Sequence, residues 1–170
     1  MTEQPEQIQQ MGPRTSEHDK LNPFEGTFST VVKLWMGPGE PMTSTGTMVN
    51  DWVLGGRYLR QAFTGDPVDG PYQPFEGIGF WGYSGTSKKY QGYWIDNAST
   101  WMQLETGSVD ASGKIWTMKS RFPNPADGKP MNKRSVITLH DNDHHLMESF
   151  FTVEGGEEVK SMEISYTRKS

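Results

Sequence analysis

The sequence predicts an all-β protein in which ten antiparallel strands close into a β-barrel after one short N-terminal helix. From Phe24 onward the chain consists of short runs rich in β-branched and aromatic residues, and no run sustains a helical period. Turn-forming residues separate these runs, as at Gly55-Gly56 and Asp127-Gly128. Aromatic side chains make up 12% of the 170 residues, which favours strands over helices.

The N-terminal part of the chain predicts a tail and a short helix. Residues 1–14 are rich in Gln and Pro and nearly free of large apolar groups, so we predict a disordered tail. Ser16-Glu17-His18-Asp19 has the S-x-x-D spacing of a capping box and predicts one or two helical turns, which Pro23 ends. Residues 15–170 form the single predicted β-barrel domain.

The ten predicted strands follow one another through short connections. They cover residues 26–36, 43–54, 57–65, 75–83, 88–96, 100–108, 114–122, 132–140, 144–153 and 158–168. Parallel neighbours would need crossovers of a dozen or more residues, so consecutive strands are antiparallel. Such a meander has two exposed edges, which closure into a barrel removes. Gly77, Gly79 and Gly92 lie inside strand runs, where we expect strongly curved strands to bend.

Charge, cysteine content and hydrophobicity exclude several classes of function. The formal net charge is −5 and the Lys and Arg residues are scattered singly, so no basic stripe is available for nucleic acid. The absence of cysteine excludes disulfides and thiolate metal sites. No apolar run reaches the roughly eighteen residues of a membrane span, and the first residues lack the pattern of a secretory signal. We therefore expect a cytoplasmic protein with no nucleic-acid partner and no membrane partner.

The start of the first predicted strand and the end of the last one resemble those of lipocalins and fatty-acid-binding proteins. Phe24-Glu25-Gly26-Thr27-Phe28 follows the pattern F-x-G-x-aromatic, and Tyr166-Thr167-Arg168 closes the last strand. In those families a basic residue from the final strand covers the first-strand ring, so the resemblance implies that Arg168 lies against Phe28. Phe28 stands where tryptophan is usual, which weakens the implied cation–π contact.

A broader resemblance covers about residues 16–169. Five segments occur in an order similar to that of a bacterial family known as domain of unknown function fifteen seventy-nine. These segments are Ser44-Thr45-Gly46-Thr47, Leu54-Gly55-Gly56-Arg57-Tyr58-Leu59, Phe75-Glu76-Gly77-Ile78-Gly79, Gly92-Tyr93-Trp94-Ile95-Asp96 and Met162-Glu163-Ile164-Ser165-Tyr166-Thr167-Arg168. The resemblance implies a lipocalin-like (calycin) barrel and no particular activity or catalytic residue.

Three of the four histidines, His140, His144 and His145, lie around one predicted hairpin turn. Adjacent strand residues point to opposite faces, so His144 and His145 cannot both face one ion unless the turn is distorted. His145 is roughly placed like the haem ligand of nitrobindin-like barrels, but their glycine-rich first-strand motif is absent. Ser84 lacks the G-x-S-x-G spacing of a nucleophile elbow. We predict no metal, no cofactor and no catalytic residue.

Strand alternation indicates which side chains face the lumen. In the last strand Met162, Ile164, Tyr166 and Arg168 share one face, which we predict to be the inner one. Fatty-acid-binding proteins hold a carboxylate with an Arg two strands back and a Tyr on the last strand, and Arg134 with Tyr166 resembles that pair. Ile164 stands where their second Arg lies. The phase of Arg134 is ambiguous, and an outward Arg134 paired with Glu148 is the alternative.

These features predict a barrel that binds a small apolar or amphipathic ligand, with an anionic one favoured by Arg134. The predicted ligand-binding residues are Trp94, Met118, Arg134 and Tyr166. Two alternatives remain open. In the first, side chains of the protein itself fill the lumen and the protein works through its surface. In the second, the barrel is an isomerase or cyclase that acts on a substrate in its cavity. In such an enzyme a buried carboxylate, Asp96, Glu105 or Glu148, would act as acid or base.

Overall fold

The chain closes into a ten-stranded antiparallel barrel, as predicted, in the computed structural model, which describes residues 12–71 and 73–170. Each strand pairs with the next along the chain, and β1 pairs with β10 to close the ring. The strands are β1 (Gly26–Leu34), β2 (Met42–Val53), β3 (Tyr58–Gly65), β4 (Glu76–Ser84), β5 (Lys89–Asp96), β6 (Gln103–Val109), β7 (Ile115–Pro123), β8 (Pro130–Leu139), β9 (His144–Val153) and β10 (Glu158–Arg168). The predicted strand bounds differ from these by at most three residues.

The two ends of the barrel differ in how they are covered. We call one end the mouth; its rim consists of the connections at 35–41, 66–75, 97–102, 124–129 and 154–157. The opposite end, which we call the closed end, carries helix α1 (Ser16–Asp19) and a 3₁₀ turn (Asn22–Phe24). Leu21 and Phe24 of this segment are 0% and 1% exposed, so they plug the closed end with apolar side chains.

The cap of helix α1 lies one residue before the predicted one. Thr15 is the N-cap, with extended backbone, and its N–H group donates to His18 Nδ1 at 3.1 Å. The predicted box from Ser16 to Asp19 is therefore wrong. The His18 ring is buried against Tyr83, which places its Nδ1 atom at the start of the helix. There Nδ1 accepts the hydrogen bond from the Thr15 N–H group.

The predicted disordered tail covers residues 1–14, of which residues 1–11 lie outside the described residues. Arg14 makes specific contacts with the barrel. Its guanidinium donates to the Gly56 carbonyl oxygen at 3.0 Å and lies 4.2 Å from the centre of the Trp52 ring. Contacts between this segment and the barrel therefore begin before the predicted boundary at residue 15.

Arg168 covers the first-strand aromatic ring, as the resemblance to lipocalins implies. Its guanidinium carbon lies 4.6 Å from the centre of the Phe28 ring, which is 0% exposed. The guanidinium also donates to the carbonyl oxygens of Glu25 at 2.6 Å and Pro23 at 2.7 Å. Gly26 has a φ of +126°, and a Cβ atom there would collide with the guanidinium. The glycine of the F-x-G-x-aromatic pattern is thus required by both conformation and space.

Apolar side chains fill the closed half of the barrel and one wall of the rest. The closed-end core consists of Leu21, Phe24, Leu59, Tyr90, Trp116, Met118 and Ile137. A second buried cluster, on β1, β2, β3 and β10, consists of Phe28, Val32, Met48, Phe63, Ile164 and Tyr166. The remaining wall toward the mouth, formed by β5 to β9, carries the inward charged residues Asp96, Glu105 and Lys133. Within the part of the chain that the structure describes, no helix has the length and apolar character needed to cross a bilayer.

Candidate ligand site in the barrel lumen

Four polar side chains and one tryptophan point into the barrel near the mouth, and we call these five residues the lumen site. They are Trp94 and Asp96 of β5, Gln103 and Glu105 of β6, and Lys133 of β8. Each shares its strand face with residues that point into the barrel, as alternation requires. The side chains of Glu105 and Lys133 retain 14% and 11% exposure. The lumen is therefore accessible to solvent at this depth.

An ion pair forms the centre of the lumen site. Lys133 Nζ lies 3.6 Å from Glu105 Oε2 and donates to Gln103 Oε1 at 3.1 Å. Ser135 Oγ donates to Glu105 Oε2 at 3.4 Å and lies 3.3 Å from Ser149 Oγ. Both serines are 0% exposed, so this chain of polar groups continues from the lumen into the wall of the barrel.

Small residues make room for this ion pair. Ser120 of β7 pairs with Lys133 in the sheet and lies between the strands that carry the two charges. On the other side, a Cβ atom at Gly92 would lie 2.9 Å from Glu105 Cγ and 3.2 Å from Trp81 Nε1. Gly92, where we expected a bend, therefore provides the space that the Glu105 side chain occupies.

Two more glycines hold the Trp94 ring flat against the sheet. A Cβ atom at Gly77 or Gly79 would collide with the indole, so the ring lies across the bare backbone of β4. Trp94 Nε1 donates to Asp96 Oδ2 at 3.0 Å, and Asp96 Oδ1 accepts the backbone N–H of Ala98. The orientation of the Asp96 carboxylate is thus determined from two sides.

Three aromatic rings line the lumen next to the mouth. Trp101 and Phe122 meet edge to face with centroids 4.3 Å apart, and Phe122 meets Phe151 in the same way at 5.8 Å. Such edge-to-face pairs are favourable arrangements of aromatic quadrupoles. They give the approach to the ion pair an apolar lining.

The structure places the predicted residues Trp94, Met118 and Tyr166 on the inside of the barrel, but at different depths. Trp94 belongs to the lumen site. Met118 is 1% exposed within the closed-end core, and Tyr166 is 6% exposed and stacked on His145 with centroids 4.1 Å apart. Burial raises the pKa of the Tyr166 hydroxyl above its ordinary value. Contact of Met118 or Tyr166 with a ligand stays a prediction.

Arg134 lies on the outer face of β8, so its predicted inward orientation is wrong. Ser135 and Ile137 point inward with 0% and 2% exposure, and alternation turns Arg134 outward. The guanidinium pairs with Glu158 at 2.6 Å and 3.0 Å. The outward alternative is therefore correct, although the partner is Glu158 rather than Glu148.

Arg134 and Tyr166 therefore do not form the carboxylate-binding pair that the resemblance to fatty-acid-binding proteins implies. Arg134 and Tyr166 lie on opposite sides of the barrel wall, and the inward cation of β8 is Lys133. Lys133 was missed in the sequence, although a signal for it exists. Ile137 and Leu139 share one face of that strand, whereas Val136 is on the other face, and counting back by twos from the more apolar pair gives Lys133.

Of the three carboxylates that could act as acid or base in a barrel enzyme, two point into the barrel and one points outward. Asp96 and Glu105 face the lumen. Glu148 lies outside, where it accepts a hydrogen bond from Lys160 at 2.7 Å. Two of the three are therefore available for chemistry inside the barrel.

The hairpin histidines are separated by strand alternation, as expected. His144 lies outside, with Nδ1 2.9 Å from Asp141 Oδ1, whereas His145 is 6% exposed inside the barrel. The His145 ring packs edge to face on Phe24 and Phe28. Burial, and secondarily the charge of Arg168, lowers the pKa of His145 to about 3. Among residues 12–71 and 73–170, no three potential metal ligands gather at one point.

Burial of neutral His145 predicts a loss of stability in mild acid. In the unfolded chain the imidazole takes up a proton below its ordinary pKa of 6.5, while in the folded chain it stays neutral until about pH 3. The unfolded state therefore binds more protons, and the free energy of unfolding should fall by about 2 kcal/mol between pH 7 and pH 5. Urea titrations at several pH values measure this slope.

The control for this experiment is the neighbouring histidine. His145→Phe should remove most of the slope between pH 7 and pH 5, whereas His144→Gln should retain it. Equal slopes in wild type and His145→Phe would show that His145 is not the responsible group.

A surface depression of about 640 Å³ lies outside the lumen, beside helix α1. Its two carboxylates already accept hydrogen bonds. Glu17 accepts from Lys20 at 2.8 Å and from the Tyr90 hydroxyl at 2.9 Å, and Asp110 accepts from Ser112 and from backbone N–H groups of its own turn. These bonds lower the pKa of both carboxylates. Glu17 and Asp110 are therefore already engaged within the protein.

Comparison with solved structures supports the barrel fold. The S-type phycobiliprotein lyase CPES from Guillardia theta superposes with a TM-score of 0.65 at 9% identity, over 92% of this chain and 94% of the lyase chain. A redesigned β-barrel gives 0.46 at 14% identity, over 89% and 96% of the two chains. EF1p2_mFAP2b bound to DFHBI gives 0.45 at 10% identity, over 89% and 98%. At this low identity the likeness to the lyase shows similarity of fold alone.

Comparison with known sequences identifies the family. No curated protein matches the chain at a significant level. The model of the family described as "Protein of unknown function (DUF1579)" matches residues 13–168, nearly the whole sequence. This match agrees with the order of segments recognised in the sequence. The chain therefore belongs to the DUF1579 family.

Proposed function

We propose that this barrel binds a small amphipathic molecule in the half of the lumen nearest the mouth. The polar part of the molecule contacts the polar groups of the lumen site, namely Asp96 and the Glu105–Lys133 pair. Its apolar part lies against Trp94 and the aromatic rings near the mouth. The observation that carries the proposal is the ion pair, which faces the lumen, is largely withdrawn from water and retains solvent access.

An ion pair at this depth is easier to explain by recognition than by stability. Withdrawing two charges from water costs several kcal/mol, and apolar residues of similar size often stabilise a protein at least as well. A few oriented polar groups in an apolar wall are the usual composition of a small-molecule site. Gln103 and Ser135 hold the two charges in place, so the polar groups are oriented before a ligand arrives.

The alternative in which the protein's own side chains fill the lumen applies to the closed half of the barrel. Leu21, Phe24 and Trp116 are each at most 1% exposed there and leave no access for a ligand. The half nearest the mouth contains partly exposed inward residues instead. The likeness to the phycobiliprotein lyase concerns the fold and does not identify the ligand.

The neutral amphipathic fluorophore 1-aminoanthracene tests the proposal. We expect saturable binding to the wild-type protein, with an increase in fluorescence as the probe leaves water. Trp94→Ala should weaken binding about tenfold, because the lost ring contact is worth on the order of 1.4 kcal/mol. Fluorescence titration gives the Kd of each protein.

Trp35→Ala is the matched control for this titration. Trp35 lies on the outer side of the barrel, with Lys160 Nζ 5.3 Å from its ring centre, and its loss should leave the Kd unchanged. Absence of saturable binding to the wild type, or equal weakening in both variants, would contradict binding in the lumen.

A further inference from the structure

The charges of the barrel are distributed unevenly between its two ends. The five connections of the mouth contain six carboxylates and one lysine, a net side-chain charge of −5. These residues are Glu40, Asp66, Asp69, Asp127, Glu154, Glu157 and Lys129. The segments at the closed end, including residues 12–25 and 169–170, sum to zero. The mouth therefore has a negative potential that attracts cations and repels anions.

The same rim exposes large apolar side chains. Those at the mouth that are at least 40% exposed include Met36, Met42, Val68, Phe75, Met102 and Val159. An apolar rim combined with negative charge suits a molecule that is itself both apolar and positively charged. It does not suit an anionic lipid surface, which the carboxylates would repel.

The inward charged residues are also predominantly acidic. Among the described residues these are Asp96, Glu105 and Lys133. Lys133 already donates to Gln103 and lies beside Glu105, so its charge is occupied. Asp96 accepts hydrogen bonds from Trp94 and Ala98 but has no cationic partner within the described residues. The lumen thus contains one carboxylate whose charge is not balanced.

A buried hydroxyl gives independent evidence of a missing partner. Thr30 is 2% exposed and faces the lumen between Phe28 and Val32, which are two members of the cluster against which Trp94 packs. Its Oγ1 atom is buried without a hydrogen-bond partner, and so is Ser120 Oγ beside the ion pair. Three further buried atoms, Asn50 Oδ1, Trp116 Nε1 and His145 Nδ1, also lack a partner, and they lie in the closed half of the barrel. Thr30 and Ser120 support a ligand through their position beside the Trp94 cluster and the ion pair.

We propose that the ligand is a hydrophobic cation, namely a protonated amine on an aromatic or alkyl body. This inference rests on the proposed binding function and names the ligand's chemical class. The ammonium group donates to the Asp96 carboxylate and is attracted to the half-buried face of the Trp94 indole. The apolar body occupies the aromatic lining, and the acidic mouth increases the association rate.

Three probes with one aromatic body separate this inference from the proposed function. They are 2-(1-naphthyl)ethylamine, 2-(1-naphthyl)ethanol and 1-naphthylacetate, which are cationic, neutral and anionic at pH 7. Isothermal titration calorimetry should give a Kd for the amine at least tenfold lower than for the alcohol, and the weakest binding for the acetate. Higher salt should weaken the amine more than the alcohol.

Asp96→Asn tests the residue that carries the charge preference. The amide oxygen still accepts from Trp94 Nε1 while the charge is lost, and its NH2 group then replaces the acceptor of the Ala98 N–H. We expect amine affinity to fall about tenfold and alcohol affinity to stay within twofold. Glu25→Gln, which removes an exposed carboxylate at the closed end, is the control and should change neither.

The outcomes distinguish the two proposals. If the alcohol binds and the amine binds no tighter, the cation inference fails and the binding function stands. If the acetate binds most tightly, the ligand is an anion and the inference is overturned. If no probe binds, the proposed function itself fails.

Discussion

Replacement of Arg168 by alanine should lower the free energy of unfolding by about 3 kcal/mol. The guanidinium donates to the carbonyl oxygens of Pro23, Glu25 and Asn142 and lies over the Phe28 ring. It thereby ties the last strand to the segment that plugs the closed end. Its removal leaves several carbonyl oxygens without a donor at once. Urea denaturation measures the loss.

Two further variants show that this effect depends on geometry. Arg168→Lys should recover less than half of the loss, because one ammonium group cannot reach three carbonyl oxygens and also cover the ring. Arg60→Ala removes a guanidinium that pairs with Asp51 on the exposed surface, and should cost about 1 kcal/mol or less. Equal losses for Arg168→Ala and Arg60→Ala would contradict the role of Arg168.

Replacement of Lys133 by methionine should also destabilise the protein by about 3 kcal/mol, because it leaves the Glu105 carboxylate without its cation inside the lumen. The double variant Glu105→Leu/Lys133→Met should lie within about 1 kcal/mol of the wild type, since both charges are then removed. The stability of both single variants and the double variant gives the coupling energy.

The control for this cycle is an ion pair on the outside of the barrel. Lys33 pairs with Glu163 at 3.2 Å, and its side chain is 42% exposed. Lys33→Met should therefore cost about 1 kcal/mol or less. A double lumen variant that is as unstable as Lys133→Met would show that the pair stabilises the fold rather than serving recognition.

Local signals in the sequence predict most of the fold. The ends of the strands depend on residues close to each boundary. Gly155, for example, has a φ of +77° and lies in the turn that follows β9. The inner face of β10 was predictable because Ile164 and Tyr166 alternate with Ser165 and Thr167. The contact of Arg168 with Phe28 followed from a family resemblance at both chain ends, since neither residue predicts the other locally.

The candidate site was less predictable because it depends on the register of distant strands. Glu105 and Lys133 lie on β6 and β8, which are separated by β7, and they meet only because Ser120 and Gly92 leave room. On β8 both faces carry polar and apolar residues, so the local pattern left the phase of Arg134 open. The phase is determined by Ser135, which packs against Ser149 on β9.

The pairing of the first and last strands has a practical consequence for attaching the protein to a surface. Lys169 donates its backbone N–H to the Thr27 carbonyl oxygen, so the chain leaves the barrel at the closed end. A sensor chip, label or fusion partner joined after Ser170 is therefore attached on the side away from the mouth. Immobilisation through the C-terminus leaves the rim facing the solution, which is the orientation needed to measure ligand entry.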